Sequence, residues 1–272
     1  MMAGLFWCSI LMKMKDSLSA QTVSTGLPNQ LIGKKVLFFP RVTSTMDIAR
    51  EAAGQGAPEG TVVLADEQTA GRGRMRRSWF SPQGSISLSV LLYPQKSFLP
   101  YLVMLASLAV VHCIEKVAGV KADIKWPNDV LIKGKKVCGI LLESDVREEK
   151  VAYAIIGIGI NVNMNLADFT EIAAIATSLS QETGKEFSRL ALARELLVEL
   201  EKMYLTLPAG DAIHKEWKAR LITLGKSVLV KSGGAFLKGI AEDVTAEGRL
   251  LLRQADGSMQ EIIAGDVTLR EP

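Results

Sequence analysis

The sequence predicts an α+β domain followed by a small β-barrel, and three observations carry that reading. From Val36 to Asn163, strand-like apolar runs are interspersed with helical patterns of different length. From Lys226 onward the pattern changes to short strands separated by glycine turns, several within about fifty residues. The chain has 272 residues, 48% of them hydrophobic, enough to bury one large core and one small one. These features divide it into an N-terminal extension or linker (1–30), a main domain (31–222) and a C-terminal barrel (223–272).

Along the chain, Leu5–Met12 is apolar but far too short to span a bilayer, and Lys13 and Lys15 follow it, the wrong order for a secretory signal. Gln21–Gln30, rich in Ser, Thr, Gly and Pro, is expected to be a linker. Val36–Phe39 forms a first strand. Ser44 and Thr45 precede the helical pattern Met46–Ala53; either can serve as N-cap or ligand contact, and Asp47 suits the first turn. Gly54–Gly60 ends that helix without a phosphate-loop Gly-Lys-Ser/Thr. Thr61–Ala65 is a buried strand. Ser85–Tyr93 alternates with period two, placing its serines on one face. Leu99–Val117 is apolar nearly all round and predicts a core helix. Two strands flank Pro127-Asn128-Asp129, an ordinary turn composition. Lys133-Gly134-Lys135 turns into the strand Lys136–Glu143, where Gly139 marks a bulge or a close backbone approach. Val151–Asn163 is a further strand; its Gly157 and Gly159 lack the third glycine and the helix of a dinucleotide fingerprint. Leu190–Leu205 and Ala212–Leu221 are helical by period.

The formal charge of +3 is too small for a nucleic-acid signature. Three widely spaced cysteines, none in a zinc or CxxC pattern, point to a reducing, cytoplasmic compartment. Two histidines leave little room for a histidine zinc site or a Ser-His-Asp hydrolase. The chemistry falls to Lys, Arg, Asp and backbone groups. Its focus is Gly71-Arg72-Gly73-Arg74-Met75-Arg76-Arg77 at the end of a strand. The glycines permit close approach, and the arginines supply forks for carboxylate or phosphate. Four arginines in six residues repel one another, so the loop is expected to be mobile when empty and ordered around an anion.

Taken together, Ser44-Thr45, Gln68–Arg74, Lys125-Trp126-Pro127-Asn128-Asp129, Lys136–Glu143 and Gly157–Asn163 resemble the biotin-protein ligase family, from about Val36 to the chain end. Glycine–arginine alternation alone is weak evidence; in order with the other clusters it is specific. The resemblance implies a biotin/lipoate-ligase-like domain with a mixed sheet and flanking helices, plus an SH3-like C-terminal barrel. It implies that biotin and ATP give biotinyl-AMP and pyrophosphate, and that the acyl group then moves to a lysine of a biotin carboxyl carrier protein. By position, Ser44, Thr45, Met46, Gln68, Gly71, Arg72 (through its backbone), Gly73, Arg74, Lys136 and Gly139 would hold biotin. Arg74, Arg77, Lys125, Trp126, Asn128 and Asn161 would contact the nucleotide. Lys136 would meet the carboxylate and α-phosphate, Arg74 would close over the adenylate, and Asp129 would either help deprotonate the acceptor lysine or only close its turn. Mg²⁺ would accompany ATP, with no protein ligand assigned.

Two departures stand out. The family commonly has glycine where this chain has Arg76. The residues before Leu31 are too few for the winged helix-turn-helix of many bacterial members, so no specific DNA binding is expected. No membrane partner is expected either, and monomer and homodimer both remain open. Alternative readings are a lipoate-protein ligase with the same acyl-adenylate chemistry, a non-catalytic biotin sensor, and a nucleic-acid-binding regulator. Lys136 argues against the sensor, since recognition of a ureido ring does not require it.

Overall fold

The computed structural model describes residues 18–166 and 169–269; residues 1–17, with the apolar run 5–12, lie outside the described residues, as do 167–168 and 270–272. A seven-stranded mixed sheet forms the main domain, from β1 (Val36–Val42), β2 (Val62–Gln68), β3 (Ser85–Leu92), β4 (Asp123–Lys125), β5 (Asp129–Ile132), β6 (Lys135–Arg147) and β7 (Lys150–Asn161). Their order is β1-β2-β3-β7-β6-β5-β4; β1 and β2 run parallel and every other pair is antiparallel.

The helices are α1 (Ala20–Ser24), α2 (Thr45–Gly54), α3 (Leu99–Ala118), α4 (Thr170–Ala173), α5 (Leu179–Thr183), α6 (Arg189–Leu205) and α7 (Gly210–Ala219). Helix α3 is long and apolar enough to cross a bilayer by composition, but here it is a core helix, packed against α6, α7 and the sheet.

Period-two alternation sorts the sheet residues onto two faces. Val62, Leu64, Ile86, Leu88, Val90, Ile156, Ile158 and Ile160 join the large core that includes α3 and α6. Val63, Leu91 and Ile155 face the other way, under Met46, Ala49 and Ala52 of α2. Helix α2 covers only part of that second face. Beyond it the floor consists of Ser87 and Ser89 of β3 and Gly157 and Gly159 of β7, with Gly159 paired to Gly139 of β6. A trough of small residues is thereby set into that face, with Met46 seated over Gly157 and Trp79 over Gly159.

Residues Gln21–Gln30, expected as a linker, are instead built into the domain. Val23 is fully buried, and Asn29 Nδ2 donates to the Leu197 carbonyl at 2.8 Å. The backbone N–H groups of Gln30, Leu31 and Ile32 all donate to the Glu201 carboxylate at 2.7 Å. Short polar residues signalled a loop locally, but burial and an acceptor on α6 decide its fate. Glu201→Ala would leave three backbone donors, that of Ile32 buried, without their acceptor. We expect a loss of about 2–3 kcal/mol, measured by denaturant unfolding.

The C-terminal barrel comprises β8 (Ser227–Ser232), β9 (Ala235–Val244), β10 (Leu250–Arg253), β11 (Met259–Ile262) and β12 (Asp266–Leu269), in the order β11-β10-β9-β8-β12, all antiparallel. Strand β12 is not anticipated by the sequence pattern. Buried Trp126 ties barrel to domain, its Nε1 donating to the Gly248 carbonyl at 2.8 Å.

Candidate active site

The trough opens into a cleft of about 830 Å³, solvent at its mouth included, between the main domain and Gly265–Asp266 of the barrel. Of the residues singled out in the sequence, Ser44, Thr45, Met46, Gln68, Arg72, Gly73, Arg74, Arg77, Asn128, Asp129, Lys136 and Gly139 line it. Residues distant in the chain converge there because β2 ends, and β6 and α2 begin, at this part of the sheet.

At one end a chain of hydroxyls and amides is already ordered. Ser44 is both N-cap and lining residue, its Oγ accepting from the Met46 N–H at 3.3 Å. Gln68 Oε1 accepts from Thr45 N–H at 2.8 Å and from Thr45 Oγ1 at 3.1 Å. Gln68 Nε2 donates to Ser81 Oγ at 3.0 Å, Ser87 Oγ donates to the same oxygen at 3.0 Å, and Ser89 Oγ donates to Thr45 Oγ1 at 2.8 Å. The serine face of β3 thus supports Thr45 and Gln68, a role the alternation alone did not reveal. This end can recognise a ring bearing both donors and an acceptor.

At the other end Lys136 Nζ lies 2.6 Å from Asp129 Oδ1 and 5.2 Å from the centroid of the Trp79 ring. The Lys136 backbone is held by the segment after α4, donating to Ile175 O and accepting from Thr177 N–H, both at 2.9 Å. A lysine so placed offers a fixed positive charge where a carboxylate and a phosphate can meet. The acidic end of its ion pair is Asp129, so that residue does more than close its turn.

The glycine–arginine loop is folded over the cleft by internal partners. Arg72 Nη1 meets Asp47 Oδ1 at 2.7 Å, Arg74 Nη1 donates to Asn128 Oδ1 at 3.0 Å, and Arg77 Nη2 pairs with Asp266 Oδ2 at 2.5 Å. Burial pulls the Arg74 guanidinium below its ordinary value, opposed by the charges of Asp129 and Asp266. An anionic ligand would strengthen its charged form.

Trp79 is the residue that sequence reasoning missed. Its indole lies on the Gly139–Gly159 pair, where a Cβ on Gly159 would fall 2.2 Å from Trp79 Nε1 and one on Gly139 would fall 3.0 Å from Cζ3. Two cross-strand glycines were the signal for a flat group above them. A Cβ on Gly71 would meet the Trp79 carbonyl oxygen at 2.4 Å, which explains the glycine there. Among the described residues, three buried side-chain donors lack a hydrogen-bond partner, and two of them, Arg72 Nη2 and Trp79 Nε1, belong to lining residues. Arg72 Nη2 faces Glu143 at 3.6 Å, so the Trp79 donor is the one that an acceptor on a ligand would match.

Four expected residues do not line this cleft: Gly71, packed against the Trp79 carbonyl, and Lys125, Trp126 and Asn161. Asn161 is buried and gives its Nδ2 to the Thr177 carbonyl at 2.9 Å, which anchors the segment beside Lys136. Lys125 sits in β4, paired in register with Asp129. Trp126 borders an adjoining recess that shares Arg74 and Asn128.

Comparison with known proteins matches residues 38–161 to the biotin/lipoate A/B protein ligase family and residues 223–270 to the biotin protein ligase C-terminal domain. The bifunctional ligase/repressor BirA of Bacillus spizizenii is 40% identical over 267 residues, covering 95% of this chain and 81% of its own. The chain belongs to the biotin protein ligase family. The biotin–[acetyl-CoA-carboxylase] ligase of Mycobacterium tuberculosis is 32% identical, with 93% of this chain and 97% of that protein covered. The biotin protein ligase of Aquifex aeolicus, solved with biotin and ATP, superposes with a TM-score of 0.74 at 29% identity, covering 88% of this chain and 100% of its own. As a family member the chain has the expected two-part architecture, a mixed sheet with flanking helices and a small barrel.

Proposed function

We propose that this ligase joins biotin to a carrier protein in two steps at one cleft. The observation that carries the reading is the juxtaposition of a preformed polar end at Thr45 and Gln68 with the Lys136–Asp129 pair under an arginine loop. Biotin's ureido ring would take the polar end, and its carboxylate would reach Lys136. In the first step a carboxylate oxygen attacks the α-phosphorus of ATP, the bond to the bridging oxygen breaks, and pyrophosphate leaves. Lys136 and Arg74 offset the negative charge that gathers there. In the second step an unprotonated lysine amine of the carrier attacks the acyl carbon, and AMP leaves with the bonding pair.

Asp129 is our candidate both for orienting Lys136 and for accepting the proton of the incoming amine. Asp129→Asn should lower transfer to the carrier about 100-fold while pyrophosphate exchange falls much less. An equal fall in both steps would reduce Asp129 to an orienting role.

Mg²⁺ belongs to the proposal as the companion of ATP. The carboxylates lining the cleft, Asp129 and Asp266, are both ion-paired, and among the described residues no group of three or more metal-ligating side chains converges. The ion would therefore be held chiefly by phosphate oxygens and water. We place the enzyme in the cytoplasm, where its buried free thiols Cys113 and Cys138 suit a reducing milieu. Burial pushes both thiols well above the ordinary range, so neither is a nucleophile.

The test is intact-mass analysis of an acetyl-CoA carboxylase carrier domain incubated with enzyme, ATP and biotin. One biotinyl adduct on one lysine supports the reading. An adduct from lipoate instead would keep the chemistry and overturn the assignment of Thr45 and Gln68.

A further inference from the structure

Behind the cleft, four charged side chains close into a cycle that the two-step chemistry does not use. Asp47 in the first turn of α2 accepts from Arg50 of the same helix at 2.8 Å and from Arg72 of the loop at 2.7 Å to Oδ1 and 2.8 Å to Oδ2. Glu143 of β6 pairs with Arg50 on one side and lies 3.6 Å from Arg72 Nη2 on the other, an ion pair too long for a hydrogen bond. The charges alternate around the ring and sum to zero. Three members stand on a helix or a strand; only Arg72 belongs to the loop.

Holding Arg72 in place also holds the residues from Gly73 to Trp79. Arg72 bridges to Ser78, the Gly73 N–H donates to the Arg77 carbonyl at 2.8 Å, and the Trp79 N–H donates to the Gly71 carbonyl at 2.8 Å. The same small hairpin therefore carries Trp79 onto the glycine pair and Arg74 to Asn128. With both acidic groups engaged, Arg72 contributes little net charge to a bound anion, and that task falls to Arg74, whose hydrogen-bond partner is a neutral amide. Burial alone would raise the Asp47 carboxyl; hydrogen bonds from Arg72 and Arg50 outweigh it and hold it below its ordinary value, so the carboxylate stays charged at neutral pH.

We infer that Asp47, Arg50 and Glu143 are positioning residues for the reaction: they hold the Arg72 guanidinium against α2 and β6, and so keep the 71–79 hairpin folded over the acyl-adenylate between the two steps. This rests on the ligase reading above. Such a role differs from plain structural support because it acts on retention of the intermediate rather than on the chemical step.

The experiment compares the full chain with the Asp47→Asn/Glu143→Gln double variant, with Arg72→Ala, and with Asp47→Glu, which keeps the charge. Three quantities are read: KM for biotin and kcat in ATP–pyrophosphate exchange, and the rate at which preloaded adenylate escapes to hydroxylamine. We expect the double variant to raise KM and escape about tenfold with kcat within about twofold. Arg72→Ala should match it, adding Arg72→Ala to the double variant should change nothing more, and Asp47→Glu should recover most of the loss. Unchanged KM and escape in the double variant overturn the inference. So does a loss of kcat and of unfolding midpoint without faster escape, which would mark the cycle as scaffold only. If the unmodified chain itself shows no biotin-dependent exchange, the ligase reading fails first; if it exchanges and the variants match it, only the positioning role fails.

Discussion

Lys136→Met is expected to lower biotin-dependent ATP–pyrophosphate exchange by about 10²- to 10³-fold, the usual cost of removing one well-placed group that stabilises transition-state charge. The substitution keeps the length and apolar stem of the side chain, and the backbone bonds of residue 136 to Ile175 and Thr177 do not depend on it. The fold should therefore survive. What disappears is the ammonium 2.6 Å from Asp129 and 5.2 Å from the Trp79 ring centroid, leaving a carboxylate that would repel both the biotin carboxylate and the α-phosphate. Loss should appear in kcat more than in biotin affinity, because the polar end at Thr45 and Gln68 is untouched. Exchange within tenfold of the unmodified enzyme would mean that Arg74 or another group supplies the main charge.

Gly159→Ala should be nearly as damaging, by a steric route. Its Cβ would fall 2.2 Å from Trp79 Nε1 and 2.5 Å from Cε2, so the indole must leave the Gly139–Gly159 pair. Overpacking of this kind costs about 1–3 kcal/mol, which corresponds to roughly 5- to 150-fold in KM for biotin. The diagnostic is a cycle with Trp79→Ala. Once the indole is gone the new methyl group has nothing to strike, so the double variant should be no worse than Trp79→Ala alone. Additive losses would show instead that the glycine matters to a ligand directly, without the tryptophan.

Much of the local structure was legible because it derives from period and turn chemistry. The alternation in Ser85–Leu92 placed three serines on one face, and they do share the face that underlies Thr45 and Gln68. Helix α3 announced itself by being apolar all round, as befits a helix buried by α6, α7 and the sheet. Gly139, Gly157 and Gly159 signalled close approach within strands, but only the β6–β7 register makes Gly139 and Gly159 neighbours. That pairing is what identifies Trp79, and no local pattern contains it.

The other partners that the sequence did not show share this cause. Asn161 gives its amide to the Thr177 carbonyl, sixteen residues on, a partner that no local pattern indicates. The basic loop has counter-charges on Asp47, Glu143 and Asp266, which no sequence spacing connects to it. Residues 21–30 had the composition of a linker, while the acceptor that orders their end, Glu201, stands about 170 residues later. Sequence motifs named most of the residues in the cleft. Their partners are a matter of tertiary structure.

The decisive measurement for biotin activation at this cleft is ATP–pyrophosphate exchange on the purified chain, with biotin, lipoate or octanoate as the only acid. Exchange is expected with biotin alone, because Thr45 and Gln68 are arranged for a ureido ring that the other two acids lack. Exchange driven by lipoate or octanoate, or none with biotin in a protein that still binds it, would contradict that assignment.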